Sequence, residues 1–148
     1  MFTVFSDDYF MSEALKEAKV AFDKGEVPIG AVIVSNNQII ARAHNQTEQL
    51  VDFTAHAEMI AFTAAAEFLG KKYLDQCTLY VTVEPCVMCS GAAYWTQLKK
   101  VVFATTDEKR GPISRNLDLL HPKCEVVQGI KETEAKKLMQ EFFKAKRP

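Results

Sequence analysis

"CTLYVTVEPCVMCSGAAYWTQL" occupies residues 77–98, and its two halves follow different rules. TLYVTVE is apolar and rich in β-branched residues, which is the composition of a strand buried on both faces. It runs directly into Pro85, and proline suits a helix start because its missing N–H would have had no partner there. PCVMCSGAAYWTQL therefore reads as a helix, and KVVFATT, residues 100–106, as the next strand. Alternation of strand and helix implies a central sheet with helices on both faces.

The flanking segments extend the pattern. SDDYFMSEALKEAKVAFDKG reads as a first helix, capped by Ser6, with acids in its first turn and Gly25 as its stop. Phe10, Ala14, Ala18 and Ala21 or Phe22 make its apolar stripe. IGAVIVS and QIIARAH flank Asn36-Asn37, a two-residue hairpin turn, since asparagine tolerates left-handed dihedrals. A second helix is expected from about residue 54 to residue 69, ending at Gly70. Residues 105–122 read as a loop, EVVQGI as a last strand and KETEAKKLMQEFFKAKRP as a closing helix. No repeat or linker divides the order α-ββ-α-β-α-β-β-α, so residues 1–148 are expected to form one domain.

Composition narrows the class. Hydrophobic content of 48% and charged content of 25% fit an ordinary globular chain. No apolar run approaches the ~20 residues needed to cross a bilayer, and the acidic start MFTVFSDDYF lacks the pattern of a signal peptide. The expected location is cytoplasmic, where the four cysteines read as thiols or metal ligands. Cys77 and Cys124 each open a strand-like run and read as packed residues. The net charge of −1 conceals an acidic residue 1–99 segment (−5) and a basic residue 100–148 segment (+4). That asymmetry points the last third toward a polyanion or simply toward solvent.

TAHAEMIAF, residues 54–62, raises a geometric question. In mid-helix, positions i and i+2 diverge by about 200° at roughly 100° per residue. His56 and Glu58 can share a target only beyond the end of a helix. Cys86 and Cys89 stand at C-x-x-C spacing at another helix start, where the dipole favours thiolates. C-x-x-C alone is weak evidence, because redox and structural zinc sites also use it. Together, His56, Cys86 and Cys89 make three ligands for tetrahedral zinc with the fourth position open, the plan of a catalytic centre. Glu58 then fits beside the metal as a proton carrier, since zinc brings the pKa of bound water to about 7.

H-x-E followed by P-C-x-x-C resembles the signature of zinc-dependent nucleobase deaminases. GEVPIGAVIV, TAHAEM, LYVTVEPCVMCSGA, KKVVFATTDEK and EFFKAKR resemble, in that order, bacterial tRNA-specific adenosine deaminases. The resemblance implies an α/β, three-layer α/β/α cytidine deaminase-like fold with a central mixed five-stranded sheet. It implies a zinc-dependent hydrolase with one zinc ion per subunit. Hydroxide on that zinc would attack C6 of adenosine at the wobble position of tRNA and leave inosine, with Glu58 shuttling protons. It also implies a homodimer and an anticodon stem-loop as partner.

By the same resemblance Asn45 contacts the base, and Asp107 lies near the preceding nucleotide. Turn capping and an ordinary loop acid explain these two equally simply. Phe143, Lys144 and Arg147, with Phe142 and Lys146, set aromatics beside cations, as single-stranded RNA binding uses; a plain amphipathic helix end explains them too. His44 and His121 are expected to be surface or hydrogen-bonding residues. RGPISRNLDLLHP departs from the pattern of the family. The alternative is a deaminase of guanine or a free nucleoside, which would need no basic tail. A noncatalytic zinc-stabilised module would leave Glu58 without a role.

Overall fold

The computed structural model describes residues 5–146. Helix α1, Asp7–Asp23, starts where expected: Ser6 Oγ accepts the Tyr9 N–H at 3.1 Å. Strands β1, Gly30–Ser35, and β2, Gln38–His44, form an antiparallel hairpin. Asn36 and Asn37 take φ of 56° and 60°, the left-handed pair that a two-residue turn requires. Helix α2 spans Ala57–Leu69 and ends on Gly70 at φ 69°. Strand β3, Cys77–Val83, leads to α3, Val87–Trp95, and then to β4, Lys100–Thr105. Strand β5, Glu125–Gln128, and α4, Glu132–Lys146, close the chain.

The sheet order is β2-β1-β3-β4-β5. β1 is antiparallel to both β2 and β3, while β3, β4 and β5 are parallel, so the sheet is mixed and five-stranded as the family resemblance implied. Side chains on β1, β3 and β4 alternate between faces. Val32, Val34, Tyr80, Val102 and Ala104 meet Phe10, Met11, Ala14 and Leu15 of α1 and Ala135 of α4. Ala31, Ile33, Leu79, Val81, Val101 and Phe103 face α2 and α3. Two apolar layers thus sandwich the sheet between α1 with α4 and α2 with α3.

One close approach sets the first layer. A Cβ on Gly30 would overlap Ala14 O and Ala18 N, so glycine lets α1 lie directly on β1. Arg42 Nη2 on β2 donates to Glu13 Oε1 at 2.9 Å and ties the other side of α1.

The expected start of α2 needs correction. Residue 54 is not yet helical: the Thr54 N–H and hydroxyl both donate to Asp52 Oδ1, at 2.8 and 2.7 Å, in a turn of the preceding loop. His56 is the N-cap instead. Likewise Cys86, not Pro85, borders α3.

Candidate metal and proton-transfer site

α2 and α3 begin side by side on one face of the sheet. The chain leaves β3, passes Glu84 and Pro85, and caps α3 with Cys86, whose Sγ accepts the Cys89 N–H at 3.5 Å. His56 caps α2 with extended backbone, φ −72° and ψ 151°, and its side chain makes no cap bond. His56 Nδ1 stands 3.5 Å from Cys86 Sγ and 3.6 Å from Cys89 Sγ.

These separations match a metal-sized gap. Bonds of about 2.05 Å to nitrogen and about 2.3 Å to sulfur at a tetrahedral angle put N and S about 3.6 Å apart. All three ligand atoms lie within 4.8 Å of one another, and among the described residues no fourth His, Cys, Asp or Glu joins the set. One nitrogen with two sulfurs is a donor set that suits zinc. The set therefore fits a metal held by three protein ligands.

Glu58, the second residue of α2, is 3% exposed. Burial pushes its carboxyl up to about 7, with the Cys86 thiolate adding to the shift and His56 opposing it. The Cys89 thiol, donating toward Cys86, brings Cys86 down to about 4, with help from His56. Cys89 is raised by that same hydrogen bond and by burial. His56 is raised chiefly by its hydrogen bond with Cys86. Sulfur, imidazole and carboxyl thus form one proton-linked group at two helix N-termini.

The other expected residues are placed unevenly. Asn45 follows β2 and is buried; its Nδ2 donates to Val27 O at 3.4 Å, and its Oδ1 accepts from Thr47 N at 3.4 Å. The amide therefore caps its own turn while keeping one N–H and one lone pair. Asp107 follows β4, and its Oδ1 accepts the Arg110 N–H at 3.1 Å. Phe143 and Lys144 lie exposed on the last turns of α4, whereas Phe142 is buried against Phe22, ring centres 6.0 Å apart, and is a core residue. The expectation for Arg147 falls outside the described residues. His44 Nδ1 lies 3.7 Å from Glu17, and His121 Nδ1 accepts from Lys123 N, so neither joins the metal set. Cys77 is buried as expected; Cys124 is half-buried and packs at the edge of the core.

Two open clefts of about 530 and 430 Å3 lie elsewhere, under residues 112–126 and along the outer side of α2. Two acids escaped the sequence reading. Glu26 and Glu84 are almost wholly buried, and each carboxylate is bonded to the backbone of a distant loop. For Glu84 the signal available was an acid at the end of an apolar strand with no cation near it in sequence; Glu26, two residues from Lys24, carried no such signal.

A three-layer α/β/α sandwich whose sheet ends deliver imidazole, two thiols and a buried carboxyl to one point defines the class of metal-dependent deaminases. The comparisons with known proteins agree. Residues 5–147 match the MafB19-like deaminase family. The tRNA-specific adenosine deaminase of Aquifex aeolicus is 46% identical over 142 residues, covering 93% of each chain. The tRNA-specific adenosine deaminase of Bacillus subtilis is also 46% identical, over 93% of this chain and 89% of its own. A structure from a study of A-to-I editing by tRNA:A34 deaminases at the wobble position superposes with a TM-score of 0.82. It shares 37% identity over 88% of this chain and 98% of that one. The chain belongs to the deaminase family, among the tRNA-specific adenosine deaminases, and is a hydrolytic deaminase.

Proposed function

We propose that the chain converts adenosine to inosine at the wobble position of a tRNA anticodon, using zinc held by His56, Cys86 and Cys89. The observation that carries this reading is the N–S separation of 3.5 and 3.6 Å beside the buried Glu58. The substrate comes from the relatives, which are named for tRNA and match nearly the whole chain.

Zinc, when bound, supplies a Lewis acid that makes water nucleophilic near neutral pH. The residues of this chain do the rest. The Glu58 carboxylate takes a proton from the attacking water and passes it to the purine ring nitrogen. As C6 gains oxygen, the bond from C6 to the exocyclic nitrogen breaks, and Glu58 carries the second proton to the departing ammonia. A carboxyl whose pKa is set to about 7 by burial can both accept and donate at that pH.

Asn45 offers its remaining N–H and lone pair to the purine edge, and Asp107 contacts the nucleotide before it. Phe143 and Lys144, with Arg147, bind the flanking RNA by stacking and charge. The unit is the single domain of residues 1–148 and works in the cytoplasm as a homodimer with one zinc per subunit. Val51 and Phe53, each 92% exposed, and Trp95, 77% exposed, supply apolar surface for the second copy. No helix of the described residues is long and apolar enough to cross a membrane.

The test offers zinc-loaded protein an anticodon stem-loop bearing wobble adenosine, beside guanine and free adenosine. Inosine in the RNA alone is the expected result. Ammonia from guanine with the RNA unchanged would transfer the site to a small-molecule reaction.

A further inference from the structure

Glu84 lies outside the metal set, yet its side chain organises the ground between that set and Asp107. Its backbone N–H donates to Thr105 O at 2.9 Å, extending the parallel pairing of β3 with β4. Its carboxylate is 4% exposed and faces one segment only. Oε1 accepts Asp107 N at 3.1 Å and Ser114 Oγ at 2.5 Å. Oε2 accepts Ile113 N at 2.7 Å and Ser114 N at 3.0 Å. The donors lie 23 to 30 residues away in sequence and are amides and a hydroxyl rather than a cation. Gly111 presses so close that a Cβ there would overlap the carboxylate.

The segment held this way has no strand or helix of its own between β4 and β5. It stands at the C-terminal ends of parallel strands, where open α/β sheets bind ligands. On the other side Glu84 adjoins Pro85 and Cys86, and Pro85 O is fixed by Ser90 Oγ at 3.2 Å in the buried start of α3. One carboxylate therefore bridges the rigid turn that carries Cys86 and Cys89 and a loop whose own hydrogen bonds are confined to short turns, such as Gly111 N to Asp107 O at 2.6 Å and Leu117 N to Pro112 O at 2.7 Å.

We propose that Glu84 is a positioning residue: it fixes the 107–114 loop as a wall of the substrate site and so sets RNA affinity rather than the rate of proton transfer. The part concerning RNA rests on the tRNA reading above; the part concerning the loop does not.

Two variants test it. Glu84→Gln keeps the shape but turns an NH2 group toward incoming donors, losing about half the bonds. Ser114→Ala removes one hydroxyl from an otherwise intact hub, and carries the test if the glutamine variant does not fold. Both are loaded with zinc and assayed on the wobble-adenosine stem-loop. The expected KM rises about tenfold for Glu84→Gln and about threefold for Ser114→Ala, as lost buried hydrogen bonds dictate. The turnover number stays within about twofold and zinc content stays at the wild-type level, since Glu58 and the ligands are untouched. Amide exchange, measured without RNA, accelerates at residues 107–114 and not in α2 or α3.

A lowered turnover number or lost zinc with unchanged KM would assign Glu84 to the sulfur turn and overturn the proposal. Unchanged exchange in the loop overturns it whatever the substrate. If wild-type protein leaves the stem-loop unedited, the tRNA reading fails, and the exchange result alone decides whether Glu84 holds the loop.

Discussion

Replacing Glu58 by glutamine separates what this residue does for chemistry from what it does to the fold. The change keeps the volume of a side chain that is 3% exposed and removes its ability to ionise. General acid–base catalysis contributes about 100- to 10,000-fold. Glu58 is assigned both proton transfers, so the loss belongs at the upper end, roughly 10,000-fold, or about 5 kcal/mol in the barrier. Stability moves the other way. Burial holds the Glu58 carboxyl at about 7 against an ordinary value of 4.5, so the folded chain disfavours its charged form. That penalty is absent below the lower value, grows as pH rises between the two, and is constant above the upper one. At full ionisation it amounts to about 3 kcal/mol, and glutamine removes it.

The assay therefore has two arms. Inosine formation on the stem-loop is followed for zinc-loaded wild type and Glu58→Gln. Urea unfolding is followed after chelation of the metal, at about pH 4.5 and about pH 8.5, on either side of the titration. The variant is expected to be nearly inactive, about as stable as wild type at the lower pH and more stable at the higher. A rate within about tenfold of wild type would refute the proton role. A variant less stable than wild type at the higher pH would refute the assignment of Glu58 as a residue kept at the expense of the fold.

Three further outcomes follow from the geometry. Gly30→Ala should destabilise by about 3 kcal/mol or more, because the new Cβ meets Ala14 O and Ala18 N and α1 must retreat from β1; an unfolding midpoint unchanged in urea would contradict that packing. Chelating the metal should abolish deamination and lower the melting temperature, with about 4 kcal/mol restored by zinc at a thousand times its dissociation constant; equal melting with and without zinc would remove the metal from the site. Replacing exposed Lys144 and Lys146 by alanine should flatten the log–log salt dependence of RNA binding by about 1.4, two charges at roughly 0.7 each; an unchanged slope would take α4 off the RNA.

What could be read in advance was whatever acts locally. Ser6 caps α1, and Asn36 and Asn37 turn the hairpin, because each needs only its neighbours. The apolar run TLYVTVE reads as a strand buried on both faces, and β3 is buried throughout Leu79–Val83. The start of α2 was misjudged for an instructive reason. Thr54 is the better cap by propensity, but Asp52 captures both its donors, and the cap falls to His56, a residue with little capping preference. Local preference fails at the position where a ligand is wanted, which is where such failures are expected. The tail shows the opposite error. Phe142 and Phe143 look alike in sequence, yet only the first meets Phe22 and is buried.

Glu26 and Glu84 are illegible in the sequence because their partners lie far away and, apart from the Ser114 hydroxyl on Glu84, are backbone. Glu26 accepts from Glu48 N at 3.0 Å and Gln49 N at 2.7 Å, holding the loop after Asn45. Glu84 holds the loop after Asp107 in the same manner. Any sequence supplies backbone N–H groups, so nothing in either loop advertises the bond; only Glu84 does, by standing uncompensated at the end of an apolar strand. The consequence separates two parts of the site. His56, Cys86 and Cys89 sit at helix N-termini packed against the sheet, while Glu26 and Glu84 each anchor a loop, the one that follows Asn45 and the one that carries Asp107. On the proposed reading, in which Asn45 and Asp107 contact the RNA, a change in either loop is expected to alter recognition without moving His56, Cys86 or Cys89. On that reading the two buried acids, rather than His56, Cys86 and Cys89, are the positions at which substitution is expected to shift RNA recognition.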